Sequence, residues 1–260
     1  MADLNTATVM SLSGRVGLVT GGGTGIGFMI SKAFAANGAK DPLSHITDEE
    51  SVKAGAKHIE GIDGKLDILV NNAGFGGSLR DPDFITKKNA AEDPFEPETV
   101  QNRGDIFALN TIAPFFVVRA FQSLLIKGAH SRQQGTSSVI NVSSVAAVMN
   151  TTSPLSSAAY NVTKAALDKL TLVLATSFAG RDIPIRVNVL APGLFASQMG
   201  SPEIVEMVKT KPLPGMVAPI PARRQGTEAE MGMTAVYLAV SDYTNGAVLS
   251  VDGAVSLANP

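Results

Sequence analysis

Cysteine is absent from the chain. That excludes disulfide bridges, a thiolate nucleophile and cysteine-ligated metals, and it agrees with a reducing compartment. Histidine is scarce: His45, His58 and His130 lie far apart and form no His-x-x-x-His pattern, so no metal site is expected. Lys and Arg number 21 against 23 Asp and Glu, a net charge of -2, and they are scattered. They form no basic stripe of the kind a phosphate backbone demands, so nucleic acid is not an expected partner. No segment is read as reaching the roughly 18 apolar residues of a membrane span. Met1 to Ser13 has neither the basic start nor the long apolar run of a signal peptide. The expectation is a cytoplasmic protein without a membrane partner. What is present is bulk: 260 residues, 45% of them hydrophobic, enough for one large α/β domain with its own core.

Short apolar runs alternate with longer helical patterns, the signature of repeated βα units around a mainly parallel sheet. Val16 to Thr20 reads as the first strand, followed by a glycine-rich turn and a helix from about Gly25 to Asn37 closed by Gly38. Thr47-Asp48-Glu49-Glu50 reads as a capping box opening a helix toward Ile59. Asp67 to Asn71 is a buried strand, and a polar loop is expected over roughly 76 to 98. An apolar helix then carries Asn110 and Pro114, Ser138 to Ser143 is a strand, and Ser157 to Ser177 a helix. Ile185 to Leu190 is a strand ending at Pro192-Gly193. The proline-rich stretch 198–222 suits a substrate lid. Thr227 to Glu230 caps a further helix, and Ala247 to Val251 is the last strand. The expected organisation is an N-terminal arm, 1–13, and a single domain, 14–260.

Five places along this order can carry chemistry. Tyr160 and Lys164 stand four apart on a helix, so a phenol and an ammonium share one face. A charge about 4–5 Å from the phenol is worth roughly 3–4 kcal/mol at an effective dielectric of ~20, which predicts a phenol pKa lowered toward the range of general acid catalysis. The same spacing also describes an aromatic and a solvated lysine on any helix. The run Thr20-Gly21-Gly22-Gly23-Thr24-Gly25-Ile26-Gly27 sits between a strand and its helix, where glycines let the backbone approach an anion and the helix N-terminus presents free N–H groups. Asn71-Asn72-Ala73-Gly74 ends a strand, and its amides can fix backbone or a ribose hydroxyl, though an Asn/Gly turn fits equally well. Ser144 ends another strand, as a hydroxyl donor or a cap. Pro114 lacks the N–H that would bond the carbonyl of Asn110, so that carbonyl is freed and can hold a water.

In this order, with Asn188-Val189-Leu190-Ala191-Pro192-Gly193, the motifs resemble the short-chain dehydrogenases/reductases from Leu12 to Leu257, with the 3-oxoacyl-reductase-like members most similar. The resemblance implies a Rossmann-like doubly wound parallel sheet and an NAD(P)-dependent oxidoreductase that reduces a ketone or oxidises a secondary alcohol. NADP is the implied cofactor, with NAD as the alternative, and the substrate a small carbonyl or alcohol, such as a 3-oxoacyl or polyketide-type carbonyl. It further implies that Tyr160 is the general acid/base, Lys164 its partner and a ribose ligand, Ser144 the holder of the substrate oxygen and Asn110 the holder of a water. Gly21, Thr24, Gly25, Ile26, Gly27, Asn72, Ala73, Gly74, Tyr160, Lys164, Phe195 and Ser197 are the implied cofactor contacts, and a homodimer or homotetramer the implied assembly.

Two departures from the family pattern stand out. The interval from Ser144 to Tyr160 is long, with 150–154 as inserted loop. Between Gly38-Ala39-Lys40 and Thr47 the family places a strand, a helix and a strand, whereas only Asp41 to Ile46 intervenes here. Six residues cannot build a crossover of a dozen or more. One or two strands and a helix after the first βα unit are therefore expected to be missing, along with the residue that would contact the adenosine ribose; Asp41 is a poor substitute. This motivates a second reading, a catalytically impaired shortened member acting as a binding or interaction protein.

Overall fold

The computed structural model describes residues 4–40, 49–93, 95–133, 135–150, 155–195, 207, 210–213 and 216–260. Five parallel strands form one sheet in the order β1-β2-β3-β4-β5. They are β1 Gly17–Val19, β2 Ile68–Asn71, β3 Ser137–Val142, β4 Ile185–Pro192 and β5 Val248–Val251. Every residue of β1 to β4 is buried, as expected of parallel strands covered on both faces. Side chains alternate between those faces. Leu69, Val139 and Val187 enter one core with Phe121 and Leu174. Ile68, Val70, Ile140 and Leu190 enter the other with Ile30, Phe34 and Met231.

The helices are α1 Thr6–Val9, α2 Gly25–Ala36, α3 Glu49–Ile62, α4 Phe84–Ala90, α5 Val100–Phe107, α6 Ala113–His130, α7 Ala158–Ala179, α8 Glu228–Val240 and α9 Val255–Ala258. Between α5 and α6, Ala108–Ile112 form a π-turn in which the Ala113 N–H bonds the Ala108 carbonyl. Pro114 follows at once; a helix meeting a residue with no N–H absorbs the lost bond in such a turn. The Thr227 capping box is present in full, its hydroxyl accepting from Glu230 N and the Glu230 carboxylate from Thr227 N.

Expected and observed elements part in three places. The stretch 76–98 is not all loop, because α4 lies within it, anchored by the buried side chains of Phe84 and Lys88. The expectation that nothing is apolar enough to span a membrane was too strict. The continuous helix Val100–His130 reaches a mean hydropathy of 1.5 over 18 residues. Its Val117, Val118, Phe121, Leu124 and Leu125 are spent on the core. Leu12, within the expected arm, is fully buried and its N–H bonds the Asn37 carbonyl.

The shortening is visible in the sheet. β1 is its edge strand, and beyond it Val16 makes one parallel bridge with Lys40. Gly17 N donates to Lys40 O at 2.6 Å, and Lys40 N to Arg15 O at 3.0 Å. Among the described residues this bridge is all that stands where the family has its second strand. Asp41 and the Thr47 cap lie outside the described residues.

Candidate active site

A parallel sheet presents the carboxyl ends of its strands along one edge, and every described motif residue gathers there. At the β1 end, Gly21 has φ +65°, a left-handed conformation that glycine adopts without strain. Gly27 meets the turn so closely that a Cβ would overlap the Gly21 carbonyl oxygen and the Asn72 amide. Residues at the end of β2 hold the turn. Thr20 Oγ1 accepts from Asn72 N at 2.9 Å and Ala73 N at 3.0 Å, while Asn72 Nδ2 donates to Thr20 O at 3.0 Å and Gly21 O at 3.3 Å. Of the two roles open to the Asn72 amide, the structure shows it fixing backbone. Thr24, the N-cap of α2, makes no side-chain cap bond, and the first turn carries no acidic residue. The helix end keeps its positive character, which suits an anion.

The second cluster sits where β3 meets α7. Ser157 caps α7 by accepting from Tyr160 N at 3.2 Å, which places Tyr160 in the first turn and Lys164 in the second. Lys164 is 4% exposed. Its Nζ donates to Val142 O at 2.8 Å and lies 5.5 Å from the centre of the Tyr160 ring. Ser144 caps a short turn by accepting from Ala146 N at 3.1 Å, and its side chain lines the same cavity as that of Tyr160. Asn110, 1% exposed, sits in the π-turn. Its Oδ1 accepts from Phe75 N at 2.9 Å, and its Nδ2 donates to Phe75 O at 2.9 Å and Thr163 Oγ1 at 3.1 Å. Gly74 lies between these groups: a Cβ there would stand 3.1 Å from Asn110 Oδ1 and 3.4 Å from Lys164 Nζ. The missing side chain leaves the lysine a passage toward the β2 end.

The electrostatics correct one expectation. Burial pushes the Tyr160 phenol above its ordinary value, and the Ser144 side chain opposes this without reversing it. A Coulomb estimate from the lysine alone gave the opposite direction because it left out desolvation, which disfavours the phenolate. Burial instead brings Lys164 down to about 8, against the Asp168 charge, which raises it.

Tyr160 and Ser144 open onto a cavity lined by Ile26, Val145, Met149, Leu155, Phe195 and Ile220, among others. Phe195 is buried and bridges to Gly226. Ser197 lies outside the described residues, as does most of the first half of the expected lid. The sequence reading missed the holding role of the Thr20 hydroxyl, Thr163 and Asp168. The only signal for Asp168 was a four-residue step beyond Lys164.

Residues 43–256 match a family profile described as enoyl-(acyl carrier protein) reductase. The chain is 32% identical over 299 residues to the short-chain dehydrogenase/reductase VdtF of Byssochlamys spectabilis, covering 96% of this chain and 95% of that protein. That alignment is longer than the chain, so gaps stand in this chain, in keeping with its shortening. The rhamnolipids biosynthesis 3-oxoacyl-(acyl-carrier-protein) reductase of Pseudomonas aeruginosa is 31% identical, with 95% of this chain and 98% of that one aligned. The solved Pseudomonas aeruginosa RhlG/NADP active-site complex superposes with a TM-score of 0.76 at 28% identity, over 95% and 98% of the two chains.

Proposed function

This chain belongs to the short-chain dehydrogenase/reductase family and is an NAD(P)-dependent enzyme of it; from that premise we propose that it reduces an apolar ketone of the 3-oxoacyl or polyketide type, with NADP as cofactor. One observation carries the reading: the side chains of Ser144 and Tyr160 line one largely apolar cavity together, with the Lys164 ammonium beside the phenol.

The glycine turn fits a dinucleotide. Gly21, Thr24, Gly25, Ile26 and Gly27 would hold its pyrophosphate at the open end of α2, and Asn72, Ala73, Gly74, Tyr160, Lys164, Phe195 and Ser197 its nicotinamide half. When bound, the nicotinamide supplies the hydride. The protein's part is the proton. Ser144 donates a hydrogen bond to the substrate carbonyl oxygen, and Tyr160 delivers its phenolic proton to the same oxygen, so that ketone plus hydride plus proton gives the alcohol. A phenol raised by burial is protonated at neutral pH, the form that can donate. Lys164 stabilises the phenolate left behind, and Asn110 holds a water for reprotonation.

The substrate class follows from the lining. None of the described residues around the cavity carries a charge, and Val145, Met149, Leu155, Leu194, Leu213 and Ile220 supply most of its wall. Such a surface suits an acyl chain or fused rings rather than a polyol or a sugar acid. Leu213, Met216 and Ile220 belong to the 198–222 stretch, which supports its role as a lid. The NADP complex and the 3-oxoacyl reductase among the similar proteins support the cofactor and the substrate. We place the protein in the cytoplasm, as a homodimer or homotetramer built on exposed apolar side chains such as Phe116, Val162 and Val173.

Tyr160→Phe tests the reading. Turnover of a 3-oxoacyl thioester with NADPH should fall below detection while NADPH binding, followed by nucleotide fluorescence, stays within about twofold of wild type. Retained turnover would remove Tyr160 as the proton donor. Failure of wild type to bind NADH or NADPH at millimolar concentration would favour a binding or interaction role instead.

A further inference from the structure

Asp168 is a half-buried carboxylate that the proposed chemistry leaves unused. It lies on α7 four residues beyond Lys164, which lies four beyond Tyr160, so the three share one face of the helix. Ser143 is buried, and its Oγ donates to the Lys164 carbonyl oxygen at 3.2 Å. Asp168 Oδ1 is buried without a hydrogen-bond partner among the described residues. The direct acceptor recorded for Lys164 Nζ is the neutral carbonyl of Val142. An ammonium that is 4% exposed needs more than one neutral acceptor to keep its charge.

Among the described residues, the other elements packed against α7 offer Lys164 no competing anion; Glu98 accepts from Ala158 N at the start of the helix and pairs with Arg103. The π-turn contributes neutral Asn110, and the end of β3 contributes Asn141 and Ser143. On α5, Asp105 is paired with Arg80, and Arg103 with Glu98. Arg186 on β4 lies at the opposite edge of the sheet, bonded to Thr136 and the Leu238 carbonyl.

We propose that Asp168, one helical turn beyond Lys164 with a buried and unpartnered Oδ1, is the charge partner of Lys164, a positioning residue that keeps the ammonium charged beneath Tyr160. The inference rests on the reading of Tyr160 and Lys164 given above. The charge effects agree in direction: Asp168 raises Lys164 against the pull of burial, and Lys164 and Ser143 lower Asp168 against the same pull. Without the carboxylate, burial acts on the lysine unopposed, and the ammonium is lost at a pH where the enzyme would otherwise keep it.

A carboxylate in this place could instead do no more than fill the space between α7 and the end of β3. Asp168→Asn separates the two roles, because an amide keeps the shape of the side chain but carries no charge. The full chain, labelled at lysine Cε and aspartate Cγ, is titrated by NMR, with the Lys164 resonance assigned from its loss in Lys164→Met. Asp168→Asn should lower the Lys164 titration by roughly one pH unit, and Asp168→Glu should restore most of it. Because coupling is reciprocal, Lys164→Met should raise the Asp168 titration by a similar amount. A folded Asp168→Asn protein in which Lys164 titrates as in wild type overturns the proposal. Should that variant not fold, an unmoved Asp168 titration in Lys164→Met overturns it alone. Neither titration needs turnover, so an active Tyr160→Phe enzyme would sink the catalytic reading while leaving this result legible.

Discussion

The two ends of the active edge are built differently. Around β3 and α7 each candidate catalytic group is held by buried bonds from several elements: Asn110 grips Phe75 from both sides, Lys164 bonds the end of β3, and Ser157 fixes the start of α7. Around β1 the glycine turn is just as firmly held, but from one side only, by Thr20 and Asn72 reaching across to β2. On the other side, among the described residues, the sheet ends at the bridge between Val16 and Lys40. The difference shows why a chain can lose one or two strands and a helix and keep the proposed site. The missing piece lay at the rim of the sheet, whereas the proton-transfer groups hang on its centre, where β3 and β4 are buried along their whole lengths. What the loss touches is the far half of the nucleotide.

The most direct way to break this comparison is to damage the held side of the nucleotide half. In Gly27→Val, a branched side chain collides with the Gly21 carbonyl and the Asn72 amide, and α2 must lift off the turn. We expect a cost of about 3 kcal/mol, or roughly a 100-fold loss of NADPH affinity, in a protein whose far-ultraviolet circular dichroism remains native. Unchanged affinity would mean that the turn is not where the nucleotide sits, and that the two halves are not joined in one site.

A second, smaller effect sharpens the catalytic half. If the phenolate needs a charged lysine beside it, activity depends on Lys164 keeping its proton. Burial brings that group down to about 8, so it is protonated below that pH and neutral above it. The reductive kcat/KM should be level below about pH 8 and fall about tenfold per unit above it. A profile level to pH 10 would show that the lysine titrates as an ordinary surface group, or that its charge does not matter.

Much of this arrangement was legible because its signals are local. The Tyr160/Lys164 step, the glycine run between a strand and a helix, and the Thr227 capping box each lie within a few residues, and the structure keeps all of them. Pro114 correctly marked a disturbed helix at Asn110, although the π-turn itself is not written in any residue type. The short helix α4 escaped because seven residues with two buried side chains, Phe84 and Lys88, give no period to read. The direction of the Tyr160 shift was misread for a deeper reason. Proximity of Lys164 follows from spacing, but the depth of burial belongs to the packing of β3, α7 and the cavity wall, and here burial outweighs the charge. Asp168 was hidden by the same limit, since nothing local says which side chains of a helix face the packing of the sheet.

The smallest effect tests the comparison at the helix end that faces the nucleotide. The helices α2 and α8 are both preceded by threonine, yet Thr227 closes α8 with a full capping box while Thr24 makes no cap bond on α2. If the open end of α2 is kept for a pyrophosphate, closing it should strengthen the helix and weaken the site. Thr24→Asp places a carboxylate where N-caps favour one and should add about 0.5–1 kcal/mol of stability, seen as a rise in Tm without nucleotide. The same charge repels the incoming phosphates, and NADPH affinity should fall roughly tenfold, about 1.4 kcal/mol. Thr24→Ala separates charge from the loss of a hydroxyl, and its affinity should stay near wild type. Opposite signs for stability and binding are the outcome that an anion site demands. A variant that gains stability and keeps its affinity would move the phosphates away from α2 and leave its uncapped end an ordinary frayed terminus.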